Sequence, residues 1–440
     1  MIGLVMGFVL ALALMLFARQ SGGAADAALP TSATVGLGFL LLASYVSGRL
    51  AKWSHMPRIT GYLAMGILAG PYVYDLVPSE MLARLKGLDG VAVAFIALTA
   101  GGEMRIAFLR ERARQIGIVG LSYTVGVFTT AMAVQLLMPS VFVYLPTDDP
   151  TGRILVASLV AGVVVSLSPM VSIAIINETR SEGPLTGVLM GTVIALDLVV
   201  IVLFAAMVAV AANHFGEGGH QDQSVAWKLT WELLGSIGIG AIFGVLIGLY
   251  QRYVGRQIAL FCLLAAFSMS SLSHAWHLET LLVALSAGFY IENFSSSSGH
   301  ELVQAVDRAS LPIYALFFAM AGAKVDLVVL GSYWHIALIL VLSRLVANYL
   351  STAAGARLAG LEPQVRQNLW LGFVSQAGVS LALIAIISES FEWGGQVAAL
   401  LIAMVAMHEL AGPILTTLAL RHAGELGRNE GPASAGTSNH

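Results

Sequence analysis

A single carboxylate stands in the middle of a long apolar run. Residues 183–212 carry Asp197 as their only ionisable side chain. About 20 apolar residues suffice to cross a bilayer as a helix. An Asp near the bilayer centre costs roughly 2.5–3.5 kcal/mol on insertion scales, so it faces a protein interior or a water-filled cavity. Such a group either binds and releases an ion or is held as a structural acid inside a helix bundle.

The preceding apolar stretch holds Ser166-Leu167-Ser168-Pro169 at its middle. Pro169 lacks a backbone donor and clashes with the turn before it, so the helix is expected to break there. The freed carbonyls, with the hydroxyls of Ser166, Ser168 and Ser172, form an oxygen set suited to a desolvated alkali cation. A second polar interruption, Ser375-Gln376-Ala377-Gly378, occurs late in the chain. It adds Gln376 to the candidate ligands and Gly378 as the second helix break. Each interruption is followed one span later by an acid, Asp197 in the first case and Glu409 in the second.

Arg344 lies within the apolar segment 336–350. A guanidinium stays protonated, so at that depth it needs an anion or carbonyl oxygens. Balancing Asp197, capping the broken helices and snorkelling from a helix end are its three readings. His408-Glu409 lies deep in the last span, where Glu409 is a possible second proton site or half of a structural polar pair. Lys324 and Asp326 read as interfacial. Neither a nucleophile constellation, a phosphate loop nor a His/Cys metal spacing stands out, so no enzymatic activity and no resident cofactor are expected.

The elements that must position these residues follow from composition. Of 440 residues, 58% are hydrophobic and 11% charged, with mean hydropathy +0.84. Soluble domains are about 25% charged, so the chain is polytopic and all-α. Apolar windows suggest about fourteen spans, near 2–17, 33–50, 58–74, 88–107, 115–138, 153–176, 184–212, 229–250, 256–273, 278–293, 310–331, 333–355, 367–388 and 394–419. The first is read as an uncleaved span, although Ala24-Ala25-Asp26-Ala27-Ala28 offers small residues for a peptidase. The net charge of −3 and the lack of a basic tract give no sign of nucleic acid as a partner, and the single Cys262 excludes an internal disulfide.

Basic residues gather at even-numbered connections, including Arg49, Lys52, Arg58, Arg105, Arg110, Arg112, Arg114, Arg252, Arg256, Arg357 and Arg366. Odd ones carry acids: Asp148-Asp149, Glu217 with Asp222, and Glu389 with Glu392. The positive-inside rule then puts both termini in the cytoplasm. Interrupted segments at matching places in two halves point to a transporter site. Spans two to seven and nine to fourteen form the repeats, inverted if the intervening span at 229–250 crosses once.

Several stretches resemble the monovalent cation:proton antiporter superfamily, in its Kef-type and bacterial sodium/proton exchanger branch. Pro57-Arg-Ile-Thr-Gly-Tyr-Leu-Ala-Met-Gly-Ile-Leu-Ala-Gly-Pro71 is similar to its P-x-x-x-G-Y-L-x-x-G-x-x-x-G-P motif. Ala97-Leu-Thr-Ala-Gly-Gly-Glu-Met104, Ser168-Pro169 through Glu178, Leu196-Asp197, Leu311–Gly322 and Phe373-Val-Ser-Gln-Ala-Gly378 resemble further family segments. Arg344 falls where the family carries a membrane-embedded Lys or Arg. The resemblance covers roughly residues 34–420, within a membrane domain at 33–420.

It implies the sodium/proton antiporter fold, with two inverted six-helix repeats and crossed broken helices. It further implies a homodimer in the bacterial inner membrane, and Na+ or K+ exchanged for protons at Asp197 by an elevator motion. Carried over, the mobile core takes spans near 115–212 and 333–419, and the dimerisation scaffold those near 33–107 and 256–331. Residues 229–250 link them, residues 1–32 are an extra span and loop, and 424–440 form a disordered cytoplasmic tail. The chain departs from the pattern at Leu196, Met170 and Val379, where the family usually carries a polar residue, Thr and Glu. With one carboxylate in span seven, one-for-one exchange is the simplest stoichiometry. Two other readings remain: a transporter of another substrate that binds through Arg344, and a non-transporting membrane sensor.

Overall fold

The computed structural model describes residues 30–54, 56–146, 149–215, 222–295 and 299–427. The expected span at 2–17, the small residues at 24–28, Asp148, Glu217 and everything beyond Gly427 lie outside them. So does the side chain of Asp222.

Among the described residues the secondary structure is helical, without strands. The helices are α1 (Pro30–Trp53), α2 (Arg58–Ala69), α3 (Ser79–Glu103), α4 (Ile106–Leu137), α5 (Pro150–Val165), α6 (Pro169–Thr179), α7 (Pro184–His214) and α8 (Asp222–Tyr253). They continue with α9 (Ile258–Trp276), α10 (Thr280–Phe294), α11 (Gly299–Ala323), α12 (Leu327–Leu358), α13 (Pro363–Gly372), α14 (Gly378–Ser390) and α15 (Gly394–His422). Seven described stretches are long and apolar enough to cross a membrane, with α5 and α6 counted as one. Pro begins α5, α6, α7 and α13, a position where its missing donor costs nothing and its fixed φ favours the first turn.

Two expectations are corrected. The span expected at 310–331 is instead α11, which runs from Gly299 and ends at Ala323. Lys324 and Asp326 therefore lie in the connection to α12. A hydropathy window smooths over so short a polar turn between apolar flanks. In that turn Lys324 pairs with Asp89, and Asp326 accepts hydrogen bonds from Tyr72 Oη (2.8 Å) and the Val328 amide (2.9 Å). The hydrogen bond to the Asp326 carboxylate raises the Tyr72 phenol's pKa.

The second correction concerns the tail. Its first residues, 424–427, are ordered, and Glu425 is 2% exposed. The Glu425 carboxylate accepts the Leu185 amide (2.7 Å), the Thr186 amide (2.8 Å) and the Thr186 hydroxyl (2.7 Å). These are orphan donors in the first turn of α7, which a carboxylate stabilises both by hydrogen bonding and by the helix dipole. Gly183 leaves the room this needs, since a Cβ there would meet the Glu425 carboxylate.

The chain divides into two compact units. One takes the residues up to Arg110 together with Trp227–Val328; the other takes Glu111–Ala226 together with Val329 onward. In the first, α3 packs on α10 and α2 on α11 at backbone contact. A Cβ at Gly66 would strike the Ala319 carbonyl oxygen, and one at Gly322 the Leu63 carbonyl oxygen. Gly101 and Gly288 relate α3 and α10 in the same way. Small residues permit such approach where lipid supplies no hydrophobic drive for helix association. Leu40, Ala43, Ala69, Met81, Leu82 and Met320 fill a core of this unit. The segment 229–250, expected as a linker, is part of α8 and belongs to this unit.

The second unit holds α5–α7 and α13–α15, with most of α4 and α12. Here α7 packs against α5, α6, α13 and α14, while α15 packs against α5, α6, α13 and α14. Between Val165 and Pro169, and again between Gly372 and Gly378, the chain leaves the helix.

Candidate functional site

The two interruptions meet. The Ser168 amide donates to the Ser375 carbonyl at 3.0 Å, joining the non-helical segment before α6 to the one before α14. Pro169 and Gly378 are the first residues of the helices that resume. A Cβ at Gly378 would meet the Met170 methyl at 2.7 Å.

A broken helix exposes carbonyls at the end of its first half, and in an apolar interior each needs a donor. Arg344 supplies them from α12 and is 1% exposed. Its Nε donates to the Val164 carbonyl (2.7 Å) and Nη1 to that of Val374 (2.9 Å). Its Nη2 reaches the carbonyls of Phe373 (3.1 Å) and Ser166 (3.2 Å) and the Tyr123 hydroxyl (3.0 Å). The guanidinium thus sits at the C-terminal, partially negative ends of α5 and α13, where a cation is favoured. Of the three readings of Arg344, the helix-capping one describes its contacts, and snorkelling is excluded by its burial. A guanidinium ringed by carbonyl oxygens is also poorly disposed to take an anionic substrate.

Gln376 does the same from the second interruption. Its Nε2 donates to the carbonyls of Val163 (3.0 Å), Ser166 (3.1 Å) and Val164 (3.3 Å). Tyr123 of α4 donates to the Val165 carbonyl (3.2 Å) and stands edge-on to Phe373 with ring centroids 5.4 Å apart. The end of α5 is therefore satisfied by three side chains from three other segments.

The predicted ligands divide into two groups. Ser166 Oγ lies 2.7 Å from both the Val163 carbonyl and Ser380 Oγ. Ser168 Oγ accepts the Val171 amide and caps α6. These hydroxyls, and the carbonyls freed by the breaks, are hydrogen-bonded within the two interruptions. Ser172 Oγ, Ser375 Oγ and Gln376 Oε1 are buried with no hydrogen-bond partner among the described residues. Asp197 is 8% exposed on α7, whose neighbours include both halves of each broken helix. Leu196, one residue earlier, faces α4, where a Cβ at Gly120 would lie 3.3 Å from its Cδ2. Met170 and Val379 are buried at the starts of α6 and α14.

Glu409 is 9% exposed and His408 1% exposed, both on α15. One turn beyond His408, Gly412 lies against Ser375. This brings α15 to the second interruption.

Tyr123 and Ser380 were missed as members of this constellation, and Ser375 was read only as part of the second interruption. Tyr123 stands between Ser122 and Thr124, and nothing local marks it or Ser380 as a partner of the breaks.

A family model described as sodium/hydrogen exchanger, transmembrane, matches residues 37–421. The chain belongs to the sodium/hydrogen exchanger family. It is 21% identical over 356 residues to a probable Na(+)/H(+) antiporter, GerT, of Bacillus cereus, covering 79% of this chain and 88% of that one. It is also 21% identical over 346 residues to the K(+)/H(+) antiporter subunit KhtU of Bacillus subtilis, covering 77% and 81%. Structures of the sodium proton antiporter MjNhaP1 from Methanocaldococcus jannaschii share the fold. One aligns with a TM-score of 0.71 at 17% identity, covering 92% of this chain and 100% of that one. Another, at pH 8, gives a TM-score of 0.64 at 16% identity, covering 90% and 98%. The antiporter resemblance read from the motifs is thereby established at the level of family and fold.

Proposed function

We propose that this chain exchanges a monovalent cation, Na+ or K+, for protons across a bacterial inner membrane, with Asp197 as the shared cation and proton site. The observation that carries the reading is the pair of helix interruptions, hydrogen-bonded to each other beside the helix that bears Asp197. A carboxylate buried there can hold either a proton or a desolvated cation, and competition between the two is what couples their movements. The proposed ligands are Asp197 with the uncommitted oxygens of Ser172, Ser375 and Gln376. Two relatives named for Na+ and K+ exchange support the substrate class.

Alternating access by an elevator motion suits the division into two compact units. The unit with Asp197 carries the complete set of proposed ligands, so it can move as a body without dismantling the site. A homodimer formed through the other unit would give that motion a fixed frame.

The test is flux in proteoliposomes, read with a pH-sensitive dye, comparing Na+, K+ and Li+ side by side. Wild-type protein is expected to move protons against at least one of these ions. Asp197→Asn is expected to be inactive while eluting as the wild type does from a sizing column. Wild-type flux in that variant would remove Asp197 from the mechanism.

A further inference from the structure

Two buried acids lie among the helices that form the interruptions, and the exchange reading above uses one of them. Every residue of α5–α7 and α12–α15 is described. The buried ionisable side chains on these helices are Asp197, Arg344, His408 and Glu409. The helices packed against α15 carry four further charged groups, Arg153 of α5, Glu178 of α6, Arg366 of α13 and Glu389 of α14. Each stands in the first or last turn of its helix and outside the buried class.

Helix geometry places Glu409 at the second interruption. Gly412 is where α15 meets that interruption, and a Cβ there would strike the Ser375 hydroxyl. The hydroxyl is therefore turned toward α15. His408 and Glu409 precede Gly412 by four and three residues, and Thr416 follows it by four. All three thus share the face that Gly412 presents to Ser375, and all are buried. The Ser375 and Thr416 hydroxyls have no hydrogen-bond partner among the described residues. His408 is within electrostatic reach of the Arg344 guanidinium. An acid and two unengaged hydroxyls are gathered on the α15 side of the breaks. Asp197 stands on α7, which packs against the same four half-helices.

Net charge gives Glu409 a task. The helix ends at the breaks cancel, since the two C-terminal ends carry about −0.5 each and the two N-terminal ends about +0.5 each. Arg344, always protonated, balances an ionised Asp197. A cation arriving there would leave an apolar interior with one uncompensated positive charge, which is costly. An ionised Glu409 removes that charge. With a proton in place of the cation, Arg344 and the one remaining carboxylate again cancel. The interior is then neutral in both limbs: one carboxylic O–H bond breaks and one proton leaves for each cation that enters.

We infer that Glu409 is a second carboxylate of the cation site, one that admits the monovalent cation beside Arg344 and shares with Asp197 the proton exchanged for it. The inference rests on the exchange reading and adds a residue to it.

The experiment is the cation dependence of flux in proteoliposomes for the wild type, Glu409→Gln and Glu409→Asp, with thermal unfolding of each in detergent. Glu409→Gln is expected to raise the KM for the cation about tenfold or more, the effect that a nearby opposite charge has on a buried ionisable group. Its kcat should change less, and its unfolding temperature should not fall. Glu409→Asp, which keeps the charge, is expected to restore most of the KM. An unchanged KM in Glu409→Gln would overturn the inference and leave Asp197 in place. So would a joint fall of kcat and unfolding temperature without rescue by Asp. Should Glu409→Gln fail to fold, infrared difference spectra of the wild type decide, with glutamate carboxyls labelled with carbon-13. Adding the cation is expected to remove a carboxylic C=O band that shifts in part with the label; a band indifferent to the label would overturn the inference. Exchange retained in Asp197→Asn, or no exchange of Na+, K+ or Li+ by the wild type, would remove the exchange reading and this inference with it.

Discussion

Replacing Arg344 tests the reading that this side chain is the counterweight to two broken helices. Arg344→Met keeps most of the volume and removes the donors. The Val164 and Ser166 carbonyls retain Gln376 Nε2, at 3.3 and 3.1 Å. Those of Phe373 and Val374 lose the donors described above, at 3.1 and 2.9 Å. A buried acceptor left without a donor costs about 1–3 kcal/mol, so two give about 2–6 kcal/mol. Part of this is offset because the variant no longer desolvates a guanidinium, a penalty of several kcal/mol in an apolar interior. The expected net loss is therefore below that range, on the order of 1–3 kcal/mol. Arg344→Lys should fall between, since an ammonium carries a point charge and three donors but cannot span both helix ends as a planar fork. Thermal unfolding of the detergent-purified protein should rank wild type above Lys above Met. Proteoliposome flux should fall in the same order, because the breaks sit beside the Asp197 helix. An Arg344→Met protein as stable and as active as the wild type would refute the counterweight.

Two further outcomes are expected. Glu425→Ala leaves two first-turn amides of α7 and the Thr186 hydroxyl without their carboxylate; it should lower the unfolding temperature by the equivalent of about 1–3 kcal/mol, with Glu425→Gln recovering part, and a shift within error in the Ala variant would contradict the clasp. Half-buried Glu279 caps α10 by accepting the Leu282 amide at 2.7 Å; Glu279→Ala should lower the unfolding temperature by the equivalent of about 0.5–2 kcal/mol, and an unchanged unfolding temperature would contradict the cap.

Hydropathy and punctuation made most of the helices legible. Apolar runs marked the spans, and Pro169 with the Ser-Gln-Ala-Gly stretch marked the two interruptions, because both signals are local. The partners of those interruptions were not legible. Arg344 and Tyr123 are 221 residues apart, Ser166 and Ser380 are 214 apart, and Glu425 and Leu185 are 240 apart. No periodicity or composition window reports a contact across such distances. The roles of individual hydroxyls were hidden for the same reason. Ser166, Ser168 and Ser172 look equivalent in sequence, yet one bonds Ser380, one caps α6 and one has no partner among the described residues.

That division of labour bears on how a site of this kind alternates. The backbone at both breaks is fixed by Arg344, Gln376, Tyr123 and the Ser168–Ser375 hydrogen bond. Opening the site by rewinding or unwinding the broken helices would sever several of these bonds in an apolar interior, at about 1–3 kcal/mol for each group left unpaired. The barrier would rise with every bond lost together. The elevator motion proposed above would leave them intact and change only which side of the membrane Asp197 faces. The breaks are therefore better understood as a rigid frame than as a hinge. Their polar side chains fall accordingly into those hydrogen-bonded within the frame and those, Ser172, Ser375 and the Gln376 carbonyl, whose oxygens have no hydrogen-bond partner among the described residues and are the ligands proposed above. Substituting a frame residue should then lower stability and flux together, whereas substituting Ser172 should change the apparent affinity for the cation with little change in unfolding temperature.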